Sequence, residues 1–133
     1  MKLSDRSTRM LSGVHPDLVK IVQRAAQDTD LEFIVTEGTR TTARQAELFA
    51  AHATRTMKSR HIPESNVCHV GCAVDLAAMI AGEVRWDWPL YDRLAKIVKK
   101  AAADVGVPIE WGGDWSDSFR DGPHFQLPWK VYP

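Results

Sequence analysis

Little in this sequence pulls in one direction. Lysine plus arginine and aspartate plus glutamate number 17 each, so the formal net charge is zero. A balanced chain lacks the general attraction for phosphate backbones and anionic lipid that a basic one has. That argues against a nucleic-acid partner and against stable membrane association. No apolar run approaches the ~20 residues of a membrane-spanning helix. The opening MKLSDRSTRML is basic but lacks the apolar core of a secretory signal, so a soluble species made in the cytoplasm without a signal peptide is expected. Only 2 cysteines occur in 133 residues, too few for a disulfide scaffold in a chain this long. Repeats, low-complexity tracts and linkers are also lacking. One domain spanning residues 1–133 is therefore expected, and the chain is long enough to bury its own core.

What is present reads as helices mixed with short strands. Pro16 suits a first helical turn, and Leu18, Ile21, Val22 and Ala25 then recur at three- and four-residue spacing. Residues 31–36 are rich in β-formers and end at Gly38. A second helix is predicted from Thr41 to Ala51 with Ala46, Leu48 and Phe49 as apolar anchors, followed by a loop from Thr54 to Asn66. Residues 71–76 alternate as a strand, and Ala81-Gly82 turns them into a partner at 83–86. A third helix runs from Pro89 to Val105 and stops at Gly106. Two last strands lie near Ile109–Trp111 and His124–Leu127. The mixture predicts an α+β fold, a small antiparallel sheet with helices packed on one face.

The alternation also places chemistry. If Phe125 and Leu127 face the core, His124 and Gln126 face the open side, and Asp75 does the same in its own strand. Two strands of one sheet can thus present an imidazole and a carboxylate to a shared cleft. Zinc takes such a set, nitrogen and oxygen donors with water at a fourth position. A third ligand is needed, and His61 and His69 are the candidates. His69 lies six residues before Asp75, ~20 Å along a straight strand, so it can join only if the chain folds back. His61 has a loop in which to turn. His15, by contrast, stands at a helix start as a cap, and His52 at a helix end.

The chain resembles the LAS-type zinc peptidases, a family that includes D-alanyl-D-alanine carboxypeptidases and phage L-alanyl-D-glutamate endopeptidases. Ser59-Arg60-His61, Ala73-Val74-Asp75 and Asp121-Gly122-Pro123-His124 follow the family's Ser-x-His, Ala-x-Asp and acid-x-x-His pattern. The segment from Thr36 to Thr41, with Gln45 beyond it, is similar to the one that carries a substrate-facing arginine. Trp86-Asp87-Trp88 and Trp111-Gly112-Gly113-Asp114-Trp115 resemble the phage endolysin branch. In the family pattern the first histidine stands seven residues before the aspartate. That position here is Cys68, whereas His61 is fourteen residues away, implying an insertion of about seven.

The resemblance implies a hedgehog/D,D-peptidase-like fold and one zinc ion held by His61, Asp75 and His124, with His69 as the alternative to His61. It implies Asp121 as general base and Arg40 as a catalytic and substrate-binding group. Gln45 and Ser59 would support the site, and Trp115, with Trp129, would line a peptide or glycan cleft. Cys68 is a further candidate thiolate ligand, and Cys68 with Cys72 could brace the inserted loop or remain two thiols. Trp86 and Trp111 are expected in the core, and Lys96, Lys99 and Lys100 on a solvated helix face. The implied activity is endopeptidase cleavage of L-alanyl-D-glutamate in the peptidoglycan stem peptide by a monomer. It would accumulate in the host cytoplasm and reach the wall after membrane permeabilisation. Catalysis and wall recognition would share the one domain. A D-alanyl-D-alanine carboxypeptidase or dipeptidase, or a non-catalytic murein-binding module, are the alternatives.

Overall fold

Helical stripes and alternating strands meet on one side of an antiparallel sheet in the computed structural model, which describes residues 1–51, 59–67 and 69–133. The elements run α1 (Asp5–Met10), α2 (Pro16–Asp28), β1 (Phe33–Glu37), α3 (Thr42–Ala50), β2 (Ala73–Ile80), β3 (Glu83–Arg85), α4 (Trp88–Val105), β4 (Glu110–Trp111) and β5 (His124–Gln126). The fold is thus the α+β arrangement expected. Pro16 opens α2 and a left-handed Gly106 closes α4. His15 caps α2, its Nδ1 accepting from the Asp17 amide. Ala81 and Gly82 both take positive φ, the conformation of the tight turn that joins β2 to β3. Helix α1 has no counterpart in the sequence reading, because six residues are too short for a periodic stripe. Its one buried residue, Ser7, accepts from the Val35 amide at 3.0 Å and docks the helix on β1.

The sheet order is β1-β2-β5-β4, with β3 pairing the far end of β2. Leu18, Ile21 and Val22 of α2, Leu94 and Val98 of α4, and Phe33, Leu76 and Phe125 of the sheet are all fully enclosed. Each such side chain contributes ~1.5–3 kcal/mol on leaving water, so this layer fixes the sheet. The opposite face is left for the site. In the pairing register Asp75 stands opposite His124 on one side and Glu37 on the other. Strand alternation alone would put Glu37 on the core side with Phe33 and Val35. An irregularity between Val35 and Glu37 adds one residue, Thr36, and turns Glu37 to the open face.

Two expectations fail. Helix α3 buries Gln45 rather than Ala46, Leu48 and Phe49, and Phe49 is exposed. The helix is held through the Gln45 amide, not through an apolar stripe. Trp86 is 53% exposed, whereas Trp111 is buried. Residue type alone suggested a core position for Trp86, which instead follows directly on β3, a strand of three residues paired to β2 alone. His52, Thr54 to Lys58 and Cys68 lie outside the described residues, and with them any Cys68–Cys72 pairing or Cys68 ligation. Cys72 is buried. Lys96, Lys99 and Lys100 do face solvent.

Candidate metal centre

Three short segments deliver three side chains to one point above the sheet. Asp75 projects from the middle of β2 and His124 from the first position of β5. His61 comes from the loop before β2. Its neighbour Arg60 accepts through its carbonyl from the Cys72 amide at 2.8 Å, while the His61 carbonyl accepts from the Arg40 amide at 2.8 Å. The chain from Ile62 to Gly71 therefore leaves and returns at almost the same place, and a spacing of fourteen residues collapses to contact. A short 3₁₀ turn at Pro63–Ser65 and the Asn66 side chain, which donates to the carbonyls of Arg60, Ile62 and Val70, hold this detour. His69 sits in it exposed, with φ of 56°, and is not among the grouped donors.

The donor geometry is that of a cation site. His61 Nε2 and His124 Nδ1 each lie 3.4 Å from Asp75 Oδ1, and the three donors fall within 4.8 Å of one another. The edge of a tetrahedron with arms of ~2.0–2.1 Å is about 3.4 Å, so the residues present fit zinc. The outer nitrogens of both rings are committed. His61 Nδ1–H donates to the Gly38 carbonyl at 2.7 Å, and His124 Nε2–H donates to Gln126 Oε1 at 2.8 Å. In its neutral form each ring then turns a lone pair toward Asp75. Asp75 Oδ1 is buried, and with both rings neutral no donor reaches it. Three acceptors then face one another there and call for a positive charge, supplied by a metal ion or, in its absence, by a ring proton.

Ionisation follows the same logic. Burial would raise the Asp75 pKa, but hydrogen bonding and charge from His124 and His61 hold it far below the carboxylate range. Burial works against a charged His124, and Asp75 overrides it and raises that pKa. Asp121 is exposed at its surface, yet partial burial of its carboxyl and then the Asp75 charge raise its pKa. Its turn is locked in place: the Asp121 amide donates to the Gly112 carbonyl, and a methyl group at Gly122 would stand 2.3 Å from the Tyr91 ring. Gly38 is equally constrained, since a Cβ there would meet the Met10 carbonyl oxygen at 1.8 Å.

Around the centre lies a cleft of about 640 Å³. Arg40 borders it, gripped by both oxygens of Glu37 at 2.5 and 2.6 Å and by Gln45 Oε1 at 2.6 Å. That leaves one N–H on each terminal nitrogen of its five-donor fork for a ligand. Desolvation opposes the Arg40 charge, but the Glu37 carboxylate more than offsets it. Ser59 Oγ accepts from the His61 amide at 3.2 Å, and the Trp115 ring lies 5.1 Å from that of His124. Trp129 lines the cleft too, with the Arg60 guanidinium 4.0 Å above its ring.

The sequence reading overlooked Glu37, Arg60 and Glu110. Arg60 is buried and donates to Asn66 Oδ1 and to the carbonyls of Leu127 and Tyr132, tying the His61 segment to the C-terminal residues. Glu37 stood next to Arg40 at an i,i+3 spacing, which was the available signal.

The sequence profile of the phage L-alanyl-D-glutamate peptidases matches residues 1–127. The L-alanyl-D-glutamate peptidase of Escherichia phage T5 is 29% identical over 121 residues, covering 88% of this chain and 83% of that protein. The peptidase of the same name from Listeria phage A118 is 34% identical over 107 residues, covering 80% of this chain but 34% of the longer relative. Among solved structures, the Serratia marcescens L-Ala D-Glu endopeptidase ChiX superposes with a TM-score of 0.87 at 42% identity, over 100% of this chain and 94% of its own. The vancomycin-resistance D,D-dipeptidase VanXYg shares the fold, with a TM-score of 0.52 at 16% identity over 86% of this chain and 50% of that one.

Proposed function

The chain belongs to the phage L-alanyl-D-glutamate peptidase family, and on that premise we propose that it is a zinc-dependent endopeptidase of peptidoglycan stem peptides, cutting the L-alanyl-D-glutamate bond. The observation that carries the zinc reading is the convergence of Asp75 Oδ1, His61 Nε2 and His124 Nδ1 to within 4.8 Å of one another, with the outer nitrogen of each ring held by an acceptor. These residues would hold the ion. Zinc there would lower the pKa of a bound water toward ~7 and polarise the scissile carbonyl.

The chain's own groups supply the rest. Asp121, three residues before His124, takes the water proton and passes it to the leaving amine. Its raised pKa suits both halves of that task better than an ordinary surface carboxylate. Arg40 offers its two remaining N–H groups to a carbonyl oxygen or a substrate carboxylate, with Glu37 and Gln45 fixing the plane of the fork. Trp115 and Trp129 give the cleft apolar walls against which a peptide can lie. Among the described residues no helix is long and apolar enough to cross a membrane. We place the enzyme, as one catalytic domain and a monomer, at the wall once the membrane has been permeabilised.

Product analysis on purified muropeptides tests the reading. New L-alanine C-termini and D-glutamate N-termini are expected, abolished by chelator and restored by zinc. Release of free D-alanine alone, or tight murein binding without cleavage, overturns it.

The ionisation of the site gives a second test. Raising His124's folded pKa means its contribution to stability is complete below the ordinary imidazole value of ~6.5 and fades as pH climbs through the raised value. Asp75, with its folded pKa depressed, contributes above ~3.9 and loses that contribution as pH falls through the depressed value. The metal-free centre is thus best satisfied between roughly pH 4 and 6.5. As pH climbs through the raised His124 value, the carboxylate loses its positive partner and protons stop competing for that ring. Zinc should therefore raise the midpoint of thermal unfolding more at pH 8 than at pH 5.5. An equal or larger gain at pH 5.5 contradicts a zinc site built on these residues.

A further inference from the structure

A second line of hydrogen bonds runs outward from the centre and ends on a carboxylate with no role assigned so far. Glu110 stands opposite Gln126 in the β4–β5 pairing, and its Oε2 accepts from Gln126 Nε2 at 3.1 Å. Gln126, buried, turns its Oε1 to His124 Nε2 at 2.8 Å. His124 then points Nδ1 at Asp75.

The order of these contacts matters because an amide is reversible. Turned over, Gln126 would present its NH₂ to His124 Nε2, which could answer only as an acceptor. The ring proton would then sit on Nδ1, pointing at Asp75 and blocking the position a cation needs. An ionised carboxylate accepts and never donates. With Glu110 at the far end, only one orientation of the amide satisfies both neighbours. The other ligand needs no such device, since the Gly38 carbonyl that receives the His61 Nδ1 proton is fixed backbone.

We propose that Glu110 is a positioning residue that acts through Gln126 to hold His124 in the Nε2–H tautomer, keeping Nδ1 open for the metal. Glu110 touches neither water nor scissile bond in this role. It sets the direction of a three-link chain whose last atom is a ligand, and outer partners of ligating imidazoles commonly govern affinity by roughly 10–100-fold. The proposal rests on the metal-centre reading above.

The tautomer can be read directly. In the metal-free protein at pH 8, ¹⁵N shifts of the His124 ring should show the proton on Nε2. In Glu110→Gln, whose amide can donate or accept, a population with the proton on Nδ1 should appear, and zinc affinity, measured by competition with a chromogenic chelator, should fall about tenfold or more. The exchanged pair Glu110→Gln/Gln126→Glu restores the direction of the chain, with the new carboxylate accepting from His124 Nε2 and from the new amide. It should bind zinc more tightly than the single variant and return the proton to Nε2. A merely structural contribution of Glu110 predicts no such rescue.

Wild-type protein with its proton on Nδ1 overturns the proposal without any variant. So does Glu110→Gln with unchanged tautomer and unchanged zinc affinity, or an exchanged pair no better than the single change. These readouts are independent of hydrolysis: wild type that binds zinc in the stated tautomer yet leaves muropeptides intact would overturn the function and leave the positioning role standing.

Discussion

Replacing Asp121 by asparagine is expected to lower turnover by roughly 10²–10⁴-fold, the usual contribution of a positioned acid–base group, with zinc still bound. Asparagine keeps the size of the side chain and loses the ability to take a proton. The turn that carries it is fixed by backbone contacts, the Asp121 amide to the Gly112 carbonyl and the Trp111 ring N–H to the Gly122 carbonyl at 2.7 Å, neither of which involves the carboxylate. Fold and metal should therefore survive. Steady-state rates on a defined stem peptide, with metal content measured on the same sample, check this. Loss of zinc along with the rate would mean that Asp121 is a ligand, and an unchanged rate would remove it from the reaction.

A still deeper loss is expected from His61→Ala. It deletes a donor from the centre and leaves the Gly38 carbonyl without its partner in a buried place, a cost of about 1–3 kcal/mol to the metal-free fold. Zinc affinity should fall by more than the roughly 10–100-fold seen when outer partners are changed, and cleavage should drop to background. His69→Ala, at an exposed position away from the donors, should leave both near wild type. Paired zinc titrations of the two variants decide the matter. Full zinc and activity in His61→Ala, with loss in His69→Ala, would reverse the ligand assignment.

Much of the frame could be read from local pattern. The stripe from Leu18 to Ala25, the stop at Gly106 and the alternation around Asp75 and Phe125 are each set by residues within one element, and the structure has them where local rules put them. Face parity alone put Asp75 and His124 on a common side of the sheet, and the register brings them opposite each other.

What stayed hidden depends on partners distant in the chain. Nothing near Thr36 announces the extra residue that turns Glu37 outward; it shows only in the pairing with β2. Gln45 is an exposed-looking residue on an apparently amphipathic helix until Arg40 is placed beside it. Glu110 belongs to a two-residue strand, too short to carry any alternation, and gains meaning only when β5 lies alongside. Arg60 looked like the variable letter of a Ser-x-His motif, yet it grips carbonyls more than sixty residues further on.

The detour between His61 and Asp75 bears on how such a chain can change over generations. The Arg60–Cys72 hydrogen bond holds its two ends side by side and the Arg40 amide holds His61, so the donors keep their places independently of the detour's exposed residues. Doubling the length of a flexible closed loop costs only ~0.6 kcal/mol. Insertions and deletions at its exposed positions, such as Glu64 and His69, can accumulate almost silently so long as Ile62 and Asn66 stay buried, reshaping the surface while the chemistry stays put.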